Sequence, residues 1–409
     1  MSYPFAHFPV RHLDMRAPTA TKHPAPLVLV YRSDILPQSE TFIKEQMLAY
    51  RNWRGLLIGR HLLHQLSLDG LEINLLAKGG PKARVLQRFG LGLGALRKMR
   101  PRLLHAHFGP EAVTAAPLGR ALRLPMLVTL HGYDINIDRE WWENGYGGEA
   151  MRSYPRRLLE LAARPYVHFT AVSHALRSRA IAFGIPPQKV TVNYIGVDTD
   201  KFVPGPTPLC ERSPRVLFVG RLVEKKGCEF LLRAMQIVRR HVPGAELAII
   251  GDGPLRAELE ILAGTFGGHT RFCGALPPHG VKRELDNTRV FCLPSIRAAN
   301  GDAEGFGLVL LEAQATGVPV VSSAFGGARE GILHEQSGYC FAEKDIDALS
   351  KHLTDLLIHP DRAAAMGLAA RRFVSAAFNI RKCTETLEHL YSQITGFQEN
   401  DSPDHDRPL

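Results

Sequence analysis

Residues 300–312 read Asn-Gly-Asp-Ala-Glu-Gly-Phe-Gly-Leu-Val-Leu-Leu-Glu, and this stretch decides how the fold is interpreted. A Gly-Phe-Gly turn follows Glu304 and opens an apolar run that predicts a buried helix. We expect Glu312 to lie about two turns into that helix, on the same face as Glu304 and Leu308. The free N–H groups of the first turn favour a phosphate, and the two carboxylates accept hydrogen bonds from hydroxyls beside it.

The sequence after this motif favours a ligand site over a chance spacing of two glutamates. Gly-Val-Pro-Val-Val at 317–321 predicts a short buried strand, and a second glycine turn follows at Gly326 and Gly327. Open α/β sheets bind ligands where strand ends feed glycine turns and helix starts. The alternative is that Glu312 is a solvated helix residue and Glu304 a helix cap.

A second motif lies upstream, at 215–227, where the chain reads Arg-Val-Leu-Phe-Val-Gly-Arg-Leu-Val-Glu-Lys-Lys-Gly. This pattern predicts a strand, a turn at Gly220 and a helix. Arg221 and Lys226 flank the turn. Two cations beside a strand end and a helix start are typical of a diphosphate clamp, and the alternative is an ordinary basic loop.

Three further strands are predicted between the two motifs. Ala-Ile-Ile-Gly-Asp-Gly-Pro at 248–254 reads as a strand and a tight turn, with Pro254 at the first position of a helix. Short strands follow at 271–274 and 290–295. Because the strands alternate with helical stretches, they predict a parallel, doubly wound α/β sheet.

The order of these motifs resembles glycosyltransferase family 4. The resemblance runs from about residue 27 to about residue 390, and it implies an α/β GT-B fold, in which two Rossmann-like β/α/β domains face each other across a cleft. The segments Leu-Pro-Gln-Ser-Glu-Thr-Phe-Ile at 36–43, His-Ala-His-Phe-Gly at 105–109 and Val-Thr-Leu-His-Gly-Tyr-Asp at 128–134 resemble members that build bacterial exopolysaccharides such as colanic acid and amylovoran.

The resemblance implies roles for individual residues. Arg221 and Lys226 would hold the donor diphosphate and stabilise its charge as the leaving group departs. Glu304 would bind hydroxyls of the donor sugar, and Glu312 the ribose hydroxyls. His131 would face the donor sugar across the cleft and complete a catalytic group with Arg221, Lys226 and Glu304. Further donor contacts are predicted at Gly220, Gly251, Asp252, Gly253, Phe272, Gly305, Phe306, Gly307 and Leu308.

Some N-terminal residues have two interpretations. His131 is alternatively a structural histidine at a strand end, and for His105 and His107 the structural reading is at least as strong. The segment at 39–41, Ser-Glu-Thr, lacks the paired glycines that many family members carry there, which weakens a phosphate contact from that loop. The pair at 141–142, Trp-Trp, would either stack on sugar rings or anchor the packing.

No metal or other cofactor is expected. The nucleotide sugar is a co-substrate and is not counted as a cofactor. Two Asp-x-Asp matches resemble the pairs that hold a divalent metal on the diphosphate in other glycosyltransferases. Asp198 and Asp200 precede the linker, outside the predicted nucleotide pocket. Asp345 and Asp347 read as a helix cap and first turn. Arg221 and Lys226 would neutralise the diphosphate instead.

Composition fits a two-domain enzyme of 409 residues, of which 45% are hydrophobic. The six cysteines are scattered, which favours reduced thiols in the cytosol.

Charge is distributed unevenly along the chain. Residues 1–205 carry 27 Lys and Arg against 15 Asp and Glu, whereas residues 206–409 carry 23 against 25. The stretch 82–102 holds seven of these cations and interleaved apolar residues, which predicts either contact with an anionic membrane surface or a solvated helix and loop.

The chain is divided as follows. We predict a flexible N-terminal extension at 1–26, an acceptor-binding domain at 27–203, a proline-rich linker at 204–214, a donor-binding domain at 215–380, a helix at 381–398 that crosses back to the first domain, and a disordered tail at 399–409. No apolar run approaches a membrane span and no signal-peptide core is present at the N-terminus.

The activity implied is retaining transfer of a hexosyl group from a UDP-hexose or GDP-mannose to a glycan acceptor. The expected acceptor is lipid-linked, such as a polyprenyl-diphosphate glycan, and the expected location is the cytoplasm, peripheral to the inner face of the plasma membrane. The alternative is a nucleotide-sugar epimerase of the same fold. Nucleic acid is not an expected partner, because aromatic RNA motifs and zinc spacing are absent and the positive charge is confined to one domain.

Overall fold

The computed structural model describes residues 25–37, 40–63, 65–76, 93–267, 269–323 and 325–397. The predicted extension at 1–26, except for its last two residues, lies outside this part of the chain. So do the basic stretch as far as residue 92, Ser39 of the first loop, and the tail at 399–409. None of the helices in the described part is long and apolar enough to cross a membrane.

A parallel sheet of seven strands forms the first half of the described chain, in the order β5-β3-β1-β6-β7-β8-β9. A separate two-stranded pair joins β2 and β4. Strand β1 is buried along its whole length, as its uninterrupted apolar sequence requires. The strands are β1 Leu27–Tyr31, β2 Asp34–Ile35, β3 Arg54–Gly59, β4 His61–Leu62, β5 Glu72–Leu75, β6 Leu103–His107, β7 Met126–Leu130, β8 Val167–Ala171 and β9 Val190–Val192.

A second parallel sheet follows, of six strands in the order β12-β11-β10-β13-β14-β15. Its strands are β10 Arg215–Val219, β11 Glu246–Ile250, β12 Thr270–Phe272, β13 Val290–Leu293, β14 Val320–Ser323 and β15 Gly338–Phe341. The strand order reverses between β1 and β6 in the first sheet and between β10 and β13 in the second. Such reversals leave a crevice at the carboxyl ends of the strands, where ligands bind.

Helices connect the strands of both sheets. Those of the first half are α1 Thr41–Leu48, α2 Gly94–Lys98, α3 Gly109–Leu122, α4 Tyr133–Asn136, α5 Arg139–Glu143, α6 Tyr154–Ala162 and α7 His174–Phe183. Those of the second half are α8 Cys228–His241, α9 Arg256–Phe266, α10 Pro278–Asp286, α11 Leu308–Ala315, α12 Ile346–Ile358, α13 Pro360–Ala377 and α14 Ile380–Thr395.

Two local predictions differ from the structure. Helix α9 begins at Arg256, so Pro254 lies in a turn and not at the first helical position. The amide of Leu255 is bound by the carbonyl of Leu222, 3.1 Å away, and this tertiary contact delays the helix. Helix α11 begins at Leu308, so Glu312 lies about one turn into it and not two.

The last helix, α14, packs against the first half of the chain. One carboxylate oxygen of Glu388 accepts hydrogen bonds from the amides of Arg51, Asn52 and Trp53, each at 2.9 Å. The hydroxyl of Tyr391 is fully buried and lies 2.6 Å from Nδ1 of His105. The C-terminal helix therefore ties the end of the chain to the first sheet.

Candidate active site

A cavity of about 1090 Å³ lies between the two sheets and receives side chains from both. Its N-terminal wall includes Glu40, Phe42, Glu45, Phe108, His131, Tyr133, Trp142 and Tyr146. Its C-terminal wall includes Gly220, Arg221, Lys225, Lys226, Asp302, Glu304, Phe306, Gly307, Leu308 and Glu312. Most of the residues singled out from the sequence thus border one space.

The ammonium of Lys226 and a carboxylate oxygen of Glu304 are 2.5 Å apart, and the two side chains are only 13% and 12% exposed. Burial alone would raise the pKa of the Glu304 carboxyl, but the charges of Lys226 and Lys225 outweigh it and hold that pKa below its ordinary value. Glu304 is therefore a carboxylate in the folded protein. Glu304 can accept hydrogen bonds from hydroxyl groups, and the adjacent Lys226 can bind a phosphate.

A second ion pair stands next to the first. Lys225 lies 3.0 Å from Asp302, and both line the cavity. This pair was not predicted from the sequence, although the Lys-Lys doublet at 225–226 was a visible signal. Arg221 also lines the cavity, and it is exposed. Among the described residues Arg221 forms no ion pair, so its guanidinium is available to an anion.

Helix α11 presents its N-terminus and Glu312 to the cavity. The chain enters the helix through Gly307, whose φ of +82° is a left-handed conformation that favours glycine. Burial, together with the smaller effect of the nearby Glu45 charge, raises the pKa of the Glu312 carboxyl to about 7. Among the described residues no donor forms a hydrogen bond with the carboxyl group of Glu312. A ligand that donates hydroxyl protons would relieve this deficit.

Gly251 and Gly253 lie behind the cavity wall and not on it. A Cβ at Gly251 would meet the carbonyl oxygen of Gly220 at 1.9 Å, and one at Gly253 would meet that of Leu222 at 2.5 Å. The two glycines thus allow the turn that carries Arg221 to rest on the next strand end. Asp252 and Phe272 are also outside the cavity lining, and the predicted contacts of these four residues with a donor stay predictions.

Gly305 forms part of the contact between the two halves of the chain. A Cβ there would lie 2.0 Å from the carbonyl oxygen of His131, and the Gly305 carbonyl accepts a hydrogen bond of 2.8 Å from the Ser173 hydroxyl. The next residue, Phe306, is 4% exposed and packs against Tyr194 and Phe378. The loop that carries Glu304 is therefore held directly against the N-terminal wall.

His131 reaches the cavity from the end of β7. Its Nε2 lies 3.0 Å from Nδ1 of His107, at the end of the neighbouring strand β6. Burial lowers the pKa of both imidazoles well below the ordinary value, and His105 lowers both further. His105 itself is bound between Tyr391 and Thr129, at 2.6 and 2.7 Å, which assigns it a structural place.

A buried arginine cluster supports the same wall and was not predicted from the sequence. Arg32 follows β1 and donates to both carboxylate oxygens of Glu40, at 2.6 and 2.7 Å. It also lies 2.9 Å from Glu111 and over the ring of Phe108. Because Glu40 already holds this cation, the first loop presents a neutralised carboxylate to the cavity.

Two other predictions have structural outcomes. Trp142 is 2% exposed and packs against Tyr154, which makes it a packing anchor, while Trp141 is 46% exposed. Asp198 lines the cavity, contrary to the prediction that it lies outside the pocket. Its carboxylate is bound by the amides of Asp200 and Lys201, which places it at a turn beside the interdomain opening.

Aspartates from both Asp-x-Asp matches have partners within the protein. Asp345 caps helix α12 by accepting from the amide of Ala348 at 2.9 Å, as predicted for the second Asp-x-Asp match. Asp200 pairs with Arg381 at 2.7 Å. In the described part of the chain no three His, Cys, Asp or Glu side chains are grouped to hold a metal ion.

Two parallel sheets whose crevices share one cavity define the GT-B architecture of glycosyltransferases. HepE of Anabaena, solved in complex with UDP, shares this fold with a TM-score of 0.72 and 18% identity, over 90% of this chain and 100% of that one. The model for glycosyl transferases group 1 matches residues 203–373, and the model for glycosyltransferase family 4 matches residues 73–201.

The chain belongs to glycosyltransferase family 4. It is 40% identical to a GDP-mannose-dependent alpha-(1-6)-phosphatidylinositol monomannoside mannosyltransferase of Mycolicibacterium smegmatis, over 70% of this chain and 75% of that protein. It is 33% identical to the amylovoran biosynthesis glycosyltransferase AmsK of Erwinia amylovora, over 69% of each. The predicted family, fold and exopolysaccharide likeness are confirmed, and the epimerase alternative is not favoured.

Proposed function

We propose that this glycosyltransferase moves a hexosyl group from a nucleotide-diphosphate sugar to a lipid-linked glycan, with retention and without a metal. The buried pair of Lys226 and Glu304 beside the start of helix α11 is the observation that carries the proposal. GDP-mannose is the first donor to test, because the relative at 40% identity is named for it. UDP-hexoses are the second donors to test, because HepE, which shares the fold, was solved in complex with UDP.

The cations of the C-terminal wall suit a departing diphosphate. Arg221 is open to the cavity, and Lys226 lies next to it with only one carboxylate as partner. Two such cations stabilise the negative charge that grows on the leaving group, which is the task a metal performs elsewhere. The amides at the start of α11 add a further favourable field for phosphate.

The carboxylates of the cavity suit binding better than nucleophilic attack. Glu304 is paired with Lys226, Asp302 with Lys225 and Glu40 with Arg32. A carboxylate whose pKa is held low by a bound cation is a weak nucleophile, so we assign Glu304 to the sugar hydroxyls. The two-carboxylate mechanism of glycosidases is not proposed here. Retention then requires the acceptor to attack from the face that the nucleotide leaves.

Two features support a lipid-linked acceptor: the aromatic residues of the N-terminal wall and the positive charge of the N-terminal half. Tyr133 and Tyr146 line the cavity there, and tyrosine rings suit the apolar faces of sugars. The N-terminal half of the sequence carries the excess of Lys and Arg. An excess of cations attracts a domain to anionic lipid, so we place the enzyme at the inner membrane surface, where a lipid-linked acceptor is found.

Calorimetry with GDP, UDP, GDP-mannose and UDP-glucose, each with and without EDTA, tests the donor. We expect GDP-mannose to bind with and without EDTA, and Lys226→Ala and Glu304→Ala to weaken it at least tenfold. Lys351→Ala, at an exposed position on α12, is the matched control. Absence of binding by every nucleotide would contradict the donor site, and loss in EDTA would contradict metal independence.

A further inference from the structure

Two histidines at neighbouring strand ends share one hydrogen bond. His107 ends β6 and pairs in register with Thr129 of β7, two residues before His131. Nδ1 of His107 and Nε2 of His131 are 3.0 Å apart, and the two rings are inclined by only 23°. Such a bond needs one donor and one acceptor, so it has two possible arrangements of the proton.

Both imidazoles favour the neutral form in the folded protein. Burial lowers the pKa of each well below its ordinary value, and the guanidinium of Arg32 lowers both further. In a neutral pair only one of the two bonded nitrogens carries a proton. Either Nδ1 of His107 donates to His131, or Nε2 of His131 donates to His107.

The second nitrogen of His107 distinguishes these arrangements. Nε2 of His107 is buried, and no group in the described residues forms a hydrogen bond with it. If this nitrogen carried the proton, a buried N–H would be left without an acceptor, which proteins rarely tolerate. If it is bare, an acceptor lone pair is left unused, and buried acceptors lack a partner more often than buried N–H groups do. The proton of His107 is therefore placed on Nδ1, where it donates to Nε2 of His131.

We infer that His107 is a positioning residue that fixes His131 in the tautomer protonated at Nδ1. His131 lines the cavity, and in the described chain only its Nε2 has a side-chain partner. Within the described residues Nδ1 of His131 forms no hydrogen bond. The N–H on Nδ1 is thus a donor for an oxygen atom of the bound sugar or diphosphate.

The surroundings hold this pair in one geometry. The ring of His131 lies 4.9 Å from that of Phe42 and 4.4 Å from that of Phe108, centroid to centroid. Phe108 directly follows His107 and has a φ of +74°, which is unusual for a bulky residue. Such strain is kept where the neighbouring structure needs it, and here it carries the Phe108 ring over His131. The imidazole therefore cannot rotate freely to exchange its two nitrogens.

Nitrogen-15 NMR of the histidine rings in the resting protein tests the tautomer without any substrate. We expect His131, assigned by its loss in His131→Gln, to be protonated at Nδ1 and bare at Nε2. His168 on β8, in the same sheet and only half-buried, provides an internal reference. Protonation of His131 at Nε2 would overturn the inference, and it would leave the proposed function intact.

Variants of His107 test whether this residue contributes to turnover. This part of the inference rests on the proposed function. The amide of His107→Asn can still donate from a position close to Nδ1, so this variant should keep the His131 tautomer and most of the turnover. His107→Phe has no donor, so we expect His131 to revert to Nε2 and kcat to fall about tenfold with little change in donor KM. His168→Asn is the matched control.

The outcomes separate the two claims. Equal turnover by the Asn and Phe variants would overturn the role of His107 even if the tautomer is as inferred. If the Phe variant fails to fold, the Asn variant and the wild-type spectrum still decide the tautomer. Failure of every nucleotide sugar to bind the wild-type protein would instead contradict the proposed function and leave the tautomer standing.

Discussion

At the scale of single residues, the pair of Lys226 and Glu304 is the most informative contact. Removing two charges from water costs free energy that their attraction repays only in good geometry, so a buried ion pair is weak evidence of stability. Both side chains line the cavity and their charged atoms are 2.5 Å apart. The pair is better understood as a preformed half of a binding site, which a ligand completes.

A double-mutant cycle on this pair tests that view. Lys226→Met removes the ion-pair partner of the buried Glu304 and leaves only the more distant charge of Lys225, so we expect a loss of about 3 kcal/mol in the free energy of unfolding. Adding Glu304→Gln should restore more than half of it, because the unpaired carboxylate is then gone. All variants should lose donor binding. Urea denaturation measures the stabilities, and a Lys226→Met protein as stable as wild type would contradict the argument.

Glu312 gives a prediction about pH. Its pKa is about 7 in the folded protein against an ordinary 4.5, because burial and Glu45 disfavour the carboxylate. The folded state therefore loses stability as pH rises from 4.5 through 7. At 1.36 kcal/mol per pKa unit the loss reaches up to about 3 kcal/mol at pH 8.

We expect Glu312→Gln to match the wild-type protein near pH 4 and to be the more stable protein at pH 8, while it binds the donor more weakly. Thermal or urea unfolding at the two pH values measures the difference. Glu258→Gln, at an exposed position on α9, is the control and should show no pH-dependent gain. A Glu312→Gln protein without a gain at pH 8 would show that Glu312 ionises freely.

The residues of the C-terminal wall could be predicted because their signals are local. Arg221 and Lys226 flank one turn, and Glu304 precedes one helix. The pairing of His107 with His131 could not be predicted, because it depends on the register of two strands and on which ring nitrogens face each other. The Arg32 cluster was missed for the same reason, since Glu40 and Glu111 reach it from separate segments.

At the scale of elements, a glutamate from one half of the chain caps a helix of the other. Glu330, in the turn Gly326–Gly331, accepts from the amides of His174 and Ala175 at 2.9 and 2.8 Å. These amides open helix α7 and would otherwise lack intrahelical partners. The hydroxyl of Tyr194 also donates to Glu330, at 2.8 Å. The carboxylate therefore links the glycine turn of the second sheet to the first.

Removal of this carboxylate should loosen the contact between the two halves. We expect Glu330→Ala to lower the free energy of unfolding by about 1–2 kcal/mol, as loss of a helix cap does, and to speed hydrogen exchange in the first turn of α7. Glu385→Ala, on the exposed face of α14, is the control. Unchanged exchange in Glu330→Ala would mean that the cap does not hold the two halves together.

Element boundaries could be predicted where the cause is local and not where it is tertiary. The strand, turn and helix after Arg215 follow from the apolar run and the glycine. The late start of α9 depends on Leu222, whose carbonyl binds Leu255 from another turn. Helix α7 has a local cap in Ser173, but the carboxylate that binds its first two amides belongs to Glu330, 156 positions beyond the first of those amides, and no local pattern reveals it.

At the scale of the whole molecule, charge and architecture divide in the same place. The sequence predicts a basic first half and a slightly acidic second half, and the two sheets fall on either side of that division. The residues proposed to bind the donor belong to the second half. The first half then carries both the wall opposite the donor and the positive charge, which suits an acceptor held at an anionic surface.

Vesicle binding by charge-reversed variants tests the proposed membrane contact. Lys98 and Arg100 are exposed cations of the basic stretch. Each cation near an anionic surface contributes about 1 kcal/mol, so Lys98→Glu with Arg100→Glu should weaken binding to phosphatidylglycerol vesicles by at least about 30-fold. Sedimentation with vesicles at low salt measures the binding, which about 0.5 M salt should abolish because the charges are then screened.

A matched charge reversal in the second half distinguishes binding through a local basic surface from attraction by the net charge of the whole protein. Arg240→Glu with Lys351→Glu changes the net charge by the same amount on exposed positions of the second half, in α8 and α12. If the first half faces the membrane, this variant should bind vesicles nearly as well as the wild-type protein. Equal weakening by both reversals would mean that net charge alone attracts the protein. Equal binding of the wild type to zwitterionic vesicles would exclude an electrostatic contact, and the acceptor would then have to reach the cavity by another route.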